Sequence, residues 1–113
     1  MFVKNALMLR LLFLSFSVSA TTYYIDPSGN NSNNGSSSSP WKTLAYACSK
    51  TTTSGDIIHV NAGTFIETSQ CILVPGVSIV GEGNSSIIHS HFSTGNLIEM
   101  LSNSTIDGNQ SIS

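Results

Sequence analysis

The chain has 113 residues, a net charge of −2, and only 9% charged residues. That length holds one domain at most. There is no basic stripe of the kind a nucleic-acid binder carries, and the polar load falls on Ser, Thr and Asn, which suits an extracellular β protein.

The first twenty residues fall into three zones. Lys4 and Arg10 give a positive start, residues 11–16 are apolar, and Val18-Ser19-Ala20 has the small side chains of a cleavage site. This order predicts a secretory signal peptide over residues 1–20, cut after Ala20. The competing reading, a membrane anchor, needs an apolar run of ~20 residues. No cysteine sits just after the apolar run to take a lipid. Cleavage leaves Lys42 and Lys50 against Asp26, Asp56, Glu67, Glu82, Glu99 and Asp107, a net charge of −4. A secreted or cell-surface chain with no remaining membrane span is expected.

Residues 22–26, Thr-Tyr-Tyr-Ile-Asp, are β-branched and aromatic and predict a first strand. From Pro27 to Ser39 the composition turns to Ser, Gly and Asn, which predicts a flexible, solvated loop. Ser39 then suits an N-cap and Pro40 a first helical position. Trp41, Leu44, Ala45 and Cys48 follow at i, i+3, i+4 and i+7, the apolar stripe of a short helix. Residues 51–55 end it.

From Asp56 onward, short apolar runs alternate with Gly, Pro, Asn and Ser. Taken in threes, runs starting at 57, 77 and 104, at 65 and 86, and at 72 and 97 recur at offsets of 20 to 27 residues, the size of one repeat in a stacked array. Ser78-Ile79-Val80-Gly81 aligns with Thr105-Ile106-Asp107-Gly108 at a spacing of 27. The repeat predicts three strands per coil, with Ile79 stacked on Ile106 and Ile66 near Ile87 or Ile88. An antiparallel sandwich is the alternative, but hairpin signals are few.

Cys48 and Cys71 are the two cysteines. An even count in an exported chain favours a disulfide, closing a loop of about 24 residues for ~3 kcal/mol; the alternative is a pair of small buried hydrophobes. His89 and His91 form a His-x-His pair whose rings face one side roughly 7 Å apart. Two ligands are too few for zinc, so two outward histidines are expected, with Ile88 and Phe92 pointing in. The segment from Asp26 to Gly35 is rich in oxygen donors but has one carboxylate where Ca²⁺ wants several. Asn30, Asn34, Asn84, Asn103 and Asn109 each head an Asn-x-Ser/Thr triplet, the acceptor pattern for N-glycans in cells that add them.

Residues 23–27 (Tyr-Tyr-Ile-Asp-Pro), the Gly/Asn/Ser loop, Ser39-Pro40-Trp41-Lys42-Thr43-Leu44, residues 55–65 (Gly-Asp-Ile-Ile-His-Val-Asn-Ala-Gly-Thr-Phe) and Pro75-Gly76-Val77-Ser78-Ile79-Val80-Gly81-Glu82-Gly83 resemble the start of secreted proteins of the pectin-lyase-like superfamily. The resemblance implies an all-β, right-handed parallel β-helix (solenoid) with a short N-terminal capping helix. Residues 21–55 would be the strand, loop and cap, and residues 56–113 two coils and the start of a third. It gives Trp41, Leu44, Ala45 and Cys48 a packing role over the first coil and makes a bridge from Cys48 to Cys71 geometrically sensible. Catalytic sites of such proteins, with their Ca²⁺-binding aspartates and basic residue, lie on later coils. No catalytic, metal or cofactor residue is therefore carried onto this chain; Ca²⁺ would belong to the parent. The implied parent binds or cleaves a polysaccharide or cell-surface glycan, this piece being non-catalytic alone. The rival is a non-catalytic adhesion or structural array. A raw edge on the last coil predicts that residues 21–113 are marginal or aggregation-prone in isolation.

Overall fold

The computed structural model describes residues 20–92, 95–100, 105–107 and 111–112. Apart from Ala20, the expected signal peptide lies outside the described residues. Among the described residues, nine short strands and one helix follow in chain order. They are β1 (Thr22–Ile25), α1 (Leu44–Lys50), β2 (Ile57–Val60), β3 (Gly63–Glu67), β4 (Cys71–Leu73), β5 (Ser78–Gly81), β6 (Ser86–Ser90), β7 (Ile98–Met100), β8 (Thr105–Asp107) and β9 (Ser111–Ile112). A 3-10 turn covers Gly83–Ser85.

All strand pairs among the described residues are parallel. One sheet runs β1-β2-β5-β8, a second β3-β6-β9, and a third β4-β7. Ile79 pairs with Ile106, as the internal repeat requires. Ile66, however, pairs with His89, and it is Phe65 that lies opposite Ile88. Strand side chains alternate between faces, and Phe65 takes the inward position (2% exposed) while Ile66 is 49% exposed.

The expected class, an all-β right-handed parallel β-helix, is corrected by these elements. What is present is a small, mostly-strand unit of short parallel pairs with one helix. It is not all-β, because α1 supplies Leu44, Ala47 and Cys48 to the core. Nor is a solenoid established. The strands are two to five residues long. Among the described residues, no set of three strands has neighbours on both sides in all three sheets, whereas stacked arrays need about three full repeats.

The core gathers Ile25, Ile58, Val60, Phe65, Leu73, Ile79 and Ile88 from the strands, with Val77 just before β5, around the buried helix face. α1 packs on β4, β1 and β3. It begins later than the sequence suggests, with Thr43 rather than Ser39 as N-cap; the Thr43 side chain accepts the Tyr46 N–H. Trp41 is withheld from the helix by strand-like pairing. Its N–H donates to Tyr24 O (3.0 Å), and its carbonyl accepts the Asp26 N–H (2.9 Å). Tyr24 N–H in turn donates to Gly35 O at 2.8 Å.

The loop from Pro27 to Ser39 is largely exposed, as expected of a solvated segment, but it is also closely hydrogen-bonded. Asn30 N–H reaches Pro40 O, Gly35 N–H reaches Ser39 O, and the Trp41 indole N–H donates to Asn33 O at 2.7 Å. Trp41 stacks on Tyr23 with centroids 5.0 Å apart and meets Tyr46 edge-on. Gly35, at φ +82°, lies under the indole, where a Cβ would come within 2.7 Å of the ring. The loop thus folds around one aromatic side chain instead of around a core of its own.

Candidate functional site

Three polar arrangements stand out, and each is built by strand alternation. The first is inside. On β3, Phe65 and Glu67 share the buried face, and Glu67 is 2% exposed. Its carboxylate accepts the N–H groups of Leu44 (3.0 Å) and Ala45 (2.9 Å). These are first-turn donors of α1, which have no partner within the helix. Glu67 is therefore a structural clamp between β3 and α1. The sequence marked Phe65-Ile66-Glu67 as a strand with Ile66 in the stack; the inward carboxylate and its donors come from the fold.

The second lies on the outer face of the largest sheet, where Tyr24 and His59 are register partners. Their rings are 5.2 Å apart. His59 Nε2 lies 3.1 Å from Glu82 Oε2, which also accepts the Ala62 N–H at 3.2 Å. Just beyond, Asp26 Oδ2 accepts from Asn61 Nδ2 (3.1 Å) and Asp26 Oδ1 accepts from the Ser28 hydroxyl (2.6 Å) and N–H (2.9 Å). The Ser28 hydroxyl above all, then its N–H, holds the Asp26 carboxyl below its ordinary 3.8; burial opposes this, and the Asn61 hydrogen bond adds to the lowering. Asp26, the one carboxylate of the oxygen-rich loop, thus serves to fold the turn.

The third is a cleft of about 380 Å³ lined by Pro27, Lys42, Thr43, Thr64, Phe65 and Ile66. Asn31 Oδ1 fixes the backbone of two lining residues, accepting the N–H groups of Lys42 (2.9 Å) and Thr43 (3.2 Å). Gly63, at φ +134°, admits the Pro27 ring, whose Cγ lies 2.6 Å from where a Cβ would stand. Thr64 and Ile66 face outward on β3. The cleft is lined by the polar residues Lys42, Thr43 and Thr64 and by the apolar Pro27, Phe65 and Ile66.

Of the residues singled out in the sequence, Cys48 and Cys71 are bonded to each other, with Cα atoms 5.6 Å apart. The bridge ties α1 to β4. Trp41, Leu44 and Cys48 are buried and Ala45 is half-buried, while Ala47 is fully buried. His89 and His91 are exposed, and His59 stands on a different sheet. Among the described residues there is no group of three His, Cys, Asp or Glu able to hold a metal ion. No helix among them is long and apolar enough to cross a membrane.

Fold and surface together define a small parallel-strand unit whose helix is fixed by a disulfide and a buried carboxylate, with a mixed polar and apolar cleft on its outside. Residues 27–110 match the family described as "Protein of unknown function (DUF1565)", and the chain belongs to that family. The family is associated with β-helix-like proteins. No curated protein and no solved structure matches the chain.

Proposed function

We propose that this chain is part of an exported protein related to the pectin-lyase-like superfamily, and that it contributes a polysaccharide-binding surface and no catalytic group. The cleft between Lys42 and Ile66 carries the reading. Lys42 Nζ has no ion-pair partner among the described residues, and the Thr64 hydroxyl beside it faces solvent. Pro27 and Ile66 offer the flat apolar contact that sugar rings pack on. Three carboxylates, in contrast, are spent on structure: Glu67 on α1, Asp26 on its turn, and Asp56 on the Thr21 N–H at 3.0 Å.

The test is titration calorimetry of the purified, oxidised protein against soluble plant, algal and bacterial cell-wall polysaccharides. Binding to at least one is expected, and Lys42→Ala with Ile66→Ser should weaken it by about tenfold or more, ~1.4 kcal/mol. Binding unaffected by both substitutions, or no binding to any polysaccharide, refutes the assignment. Release of reducing or unsaturated sugars refutes its non-catalytic part. A second reading, adhesion through a protein partner, is favoured by Ile66 and Ile72, 49% and 53% exposed. It requires glycan-independent capture that Ile72→Ser abolishes.

A further inference from the structure

The loop between β1 and α1 holds asparagines 30, 31, 33 and 34, and they divide into two kinds. Asn31 and Asn33 turn their amide nitrogens inward. Asn31 Nδ2 donates to Thr43 Oγ1 at 3.1 Å, and Asn33 Nδ2 donates to Pro40 O at 3.0 Å. Asn30 and Asn34 do the reverse. Asn30 Oδ1 accepts the Ser32 N–H at 2.8 Å and Asn34 Oδ1 accepts the Ser36 N–H at 3.0 Å. Both side chains are exposed, and neither Nδ2 has a hydrogen-bond partner among the described residues. The two asparagines with free amide nitrogens are the two that head Asn-x-Ser triplets.

Asn84 heads a third triplet with a different fate. Its serine, Ser86, is 0% exposed. The Ser86 hydroxyl shares its proton between Val60 O (2.9 Å) and Asn61 O (3.2 Å) and accepts the Glu82 N–H at 2.8 Å. Once β2 and β6 come together, the hydroxyl that a transferase must engage is inside the protein. The triplets at Asn103 and Asn109 reach outside the described residues.

We propose that Asn30 and Asn34 are N-glycan acceptors of the exported chain and that Asn84 is not. The donor class is a lipid-linked oligosaccharide diphosphate. Asparagine Nδ2 bonds to C1 of the first sugar as the C1–O bond breaks. The diphosphate leaves with the electron pair, and the Nδ2 proton passes to a carboxylate of the transferase. The product is still an amide, so its oxygen goes on accepting the Ser32 or Ser36 N–H. Modification at these positions costs the loop no hydrogen bond.

The test is secretion of the full chain, signal region included, from a eukaryotic cell. Protein from the medium or the secretory compartment is digested with peptide-N-glycosidase in heavy-oxygen water, which converts each glycosylated asparagine to labelled aspartate, and mapped by mass spectrometry. Label at Asn30 and Asn34 with an unlabelled Asn84 peptide is expected. The N30Q/N34Q variant should migrate faster by two glycans. An unlabelled loop peptide, or label at Asn84, overturns the proposal.

Discussion

Replacing Glu67 by alanine removes the carboxylate that joins β3 to the first turn of α1. Its two bonds, 3.0 and 2.9 Å, are of the charge-assisted kind, each contributing ~1.5–3 kcal/mol. Leu44 is fully buried, so no water replaces the lost acceptor there. Ala45 is only half-buried, and solvent recovers part of its loss. The sum for Glu67→Ala is about 3 kcal/mol. Glu67→Gln retains one carbonyl acceptor but turns an NH₂ toward the second N–H donor, for about 2 kcal/mol. Against a domain stability of ~5 kcal/mol at the low end of the usual range, either loss is large. The assay is urea denaturation of the oxidised protein, followed by fluorescence of Trp41, the single tryptophan. Ile66→Ser, one residue away on the exposed face, serves as control at ~0.5 kcal/mol or less. If Glu67→Ala falls within ~0.5 kcal/mol of the parent, the clamp is not a stabilising element and the reasoning fails.

Reduction of the Cys48–Cys71 bridge, which spans 23 residues of sequence, should lower stability by about 3 kcal/mol; the check is paired urea curves with and without reductant, and thiol labelling of the unreduced protein should find none free. The depressed Asp26 carboxyl stabilises the folded loop in full at pH values above its ordinary 3.8. That contribution is lost as pH falls through the lower folded value. Amide exchange in residues 28–41 should therefore accelerate in acid relative to the strands, and Asp26→Asn should remove the difference. Gly35→Ala forces a Cβ into a left-handed position against the Trp41 ring, costing ~1–2 kcal/mol for the backbone alone. A shifted Trp41 emission maximum and a lower urea midpoint are expected; an unchanged spectrum would count against the packing described.

The parallel pairing of Ile79 with Ile106 and the Cys48–Cys71 bridge were legible in the sequence, because a repeat offset and an even cysteine count are properties of the chain itself. The start of α1 was not. Pro40 and the stripe from Trp41 made a sound helical pattern, but β1 offered the Trp41 backbone a pairing partner, and tertiary context overrode local preference. The order of the loop was hidden for the same reason: its apolar anchor, Trp41, lies outside it in sequence. Ile66 was misplaced because a slip of one residue exchanges the two faces of a strand. The clamp at Glu67 and the cleft at Lys42 each join segments more than twenty residues apart, which no local pattern records.

The Trp41 backbone also makes the largest sheet one-sided. With Tyr24 N–H given to Gly35, Tyr24 O taken by Trp41, and Asp26 N–H given to the Trp41 carbonyl, the flank of β1 facing away from β2 has few free donors or acceptors left. A second chain approaching there finds a margin already stitched shut. Lengthening of that sheet at its β1 end, within one molecule or between two, is therefore disfavoured.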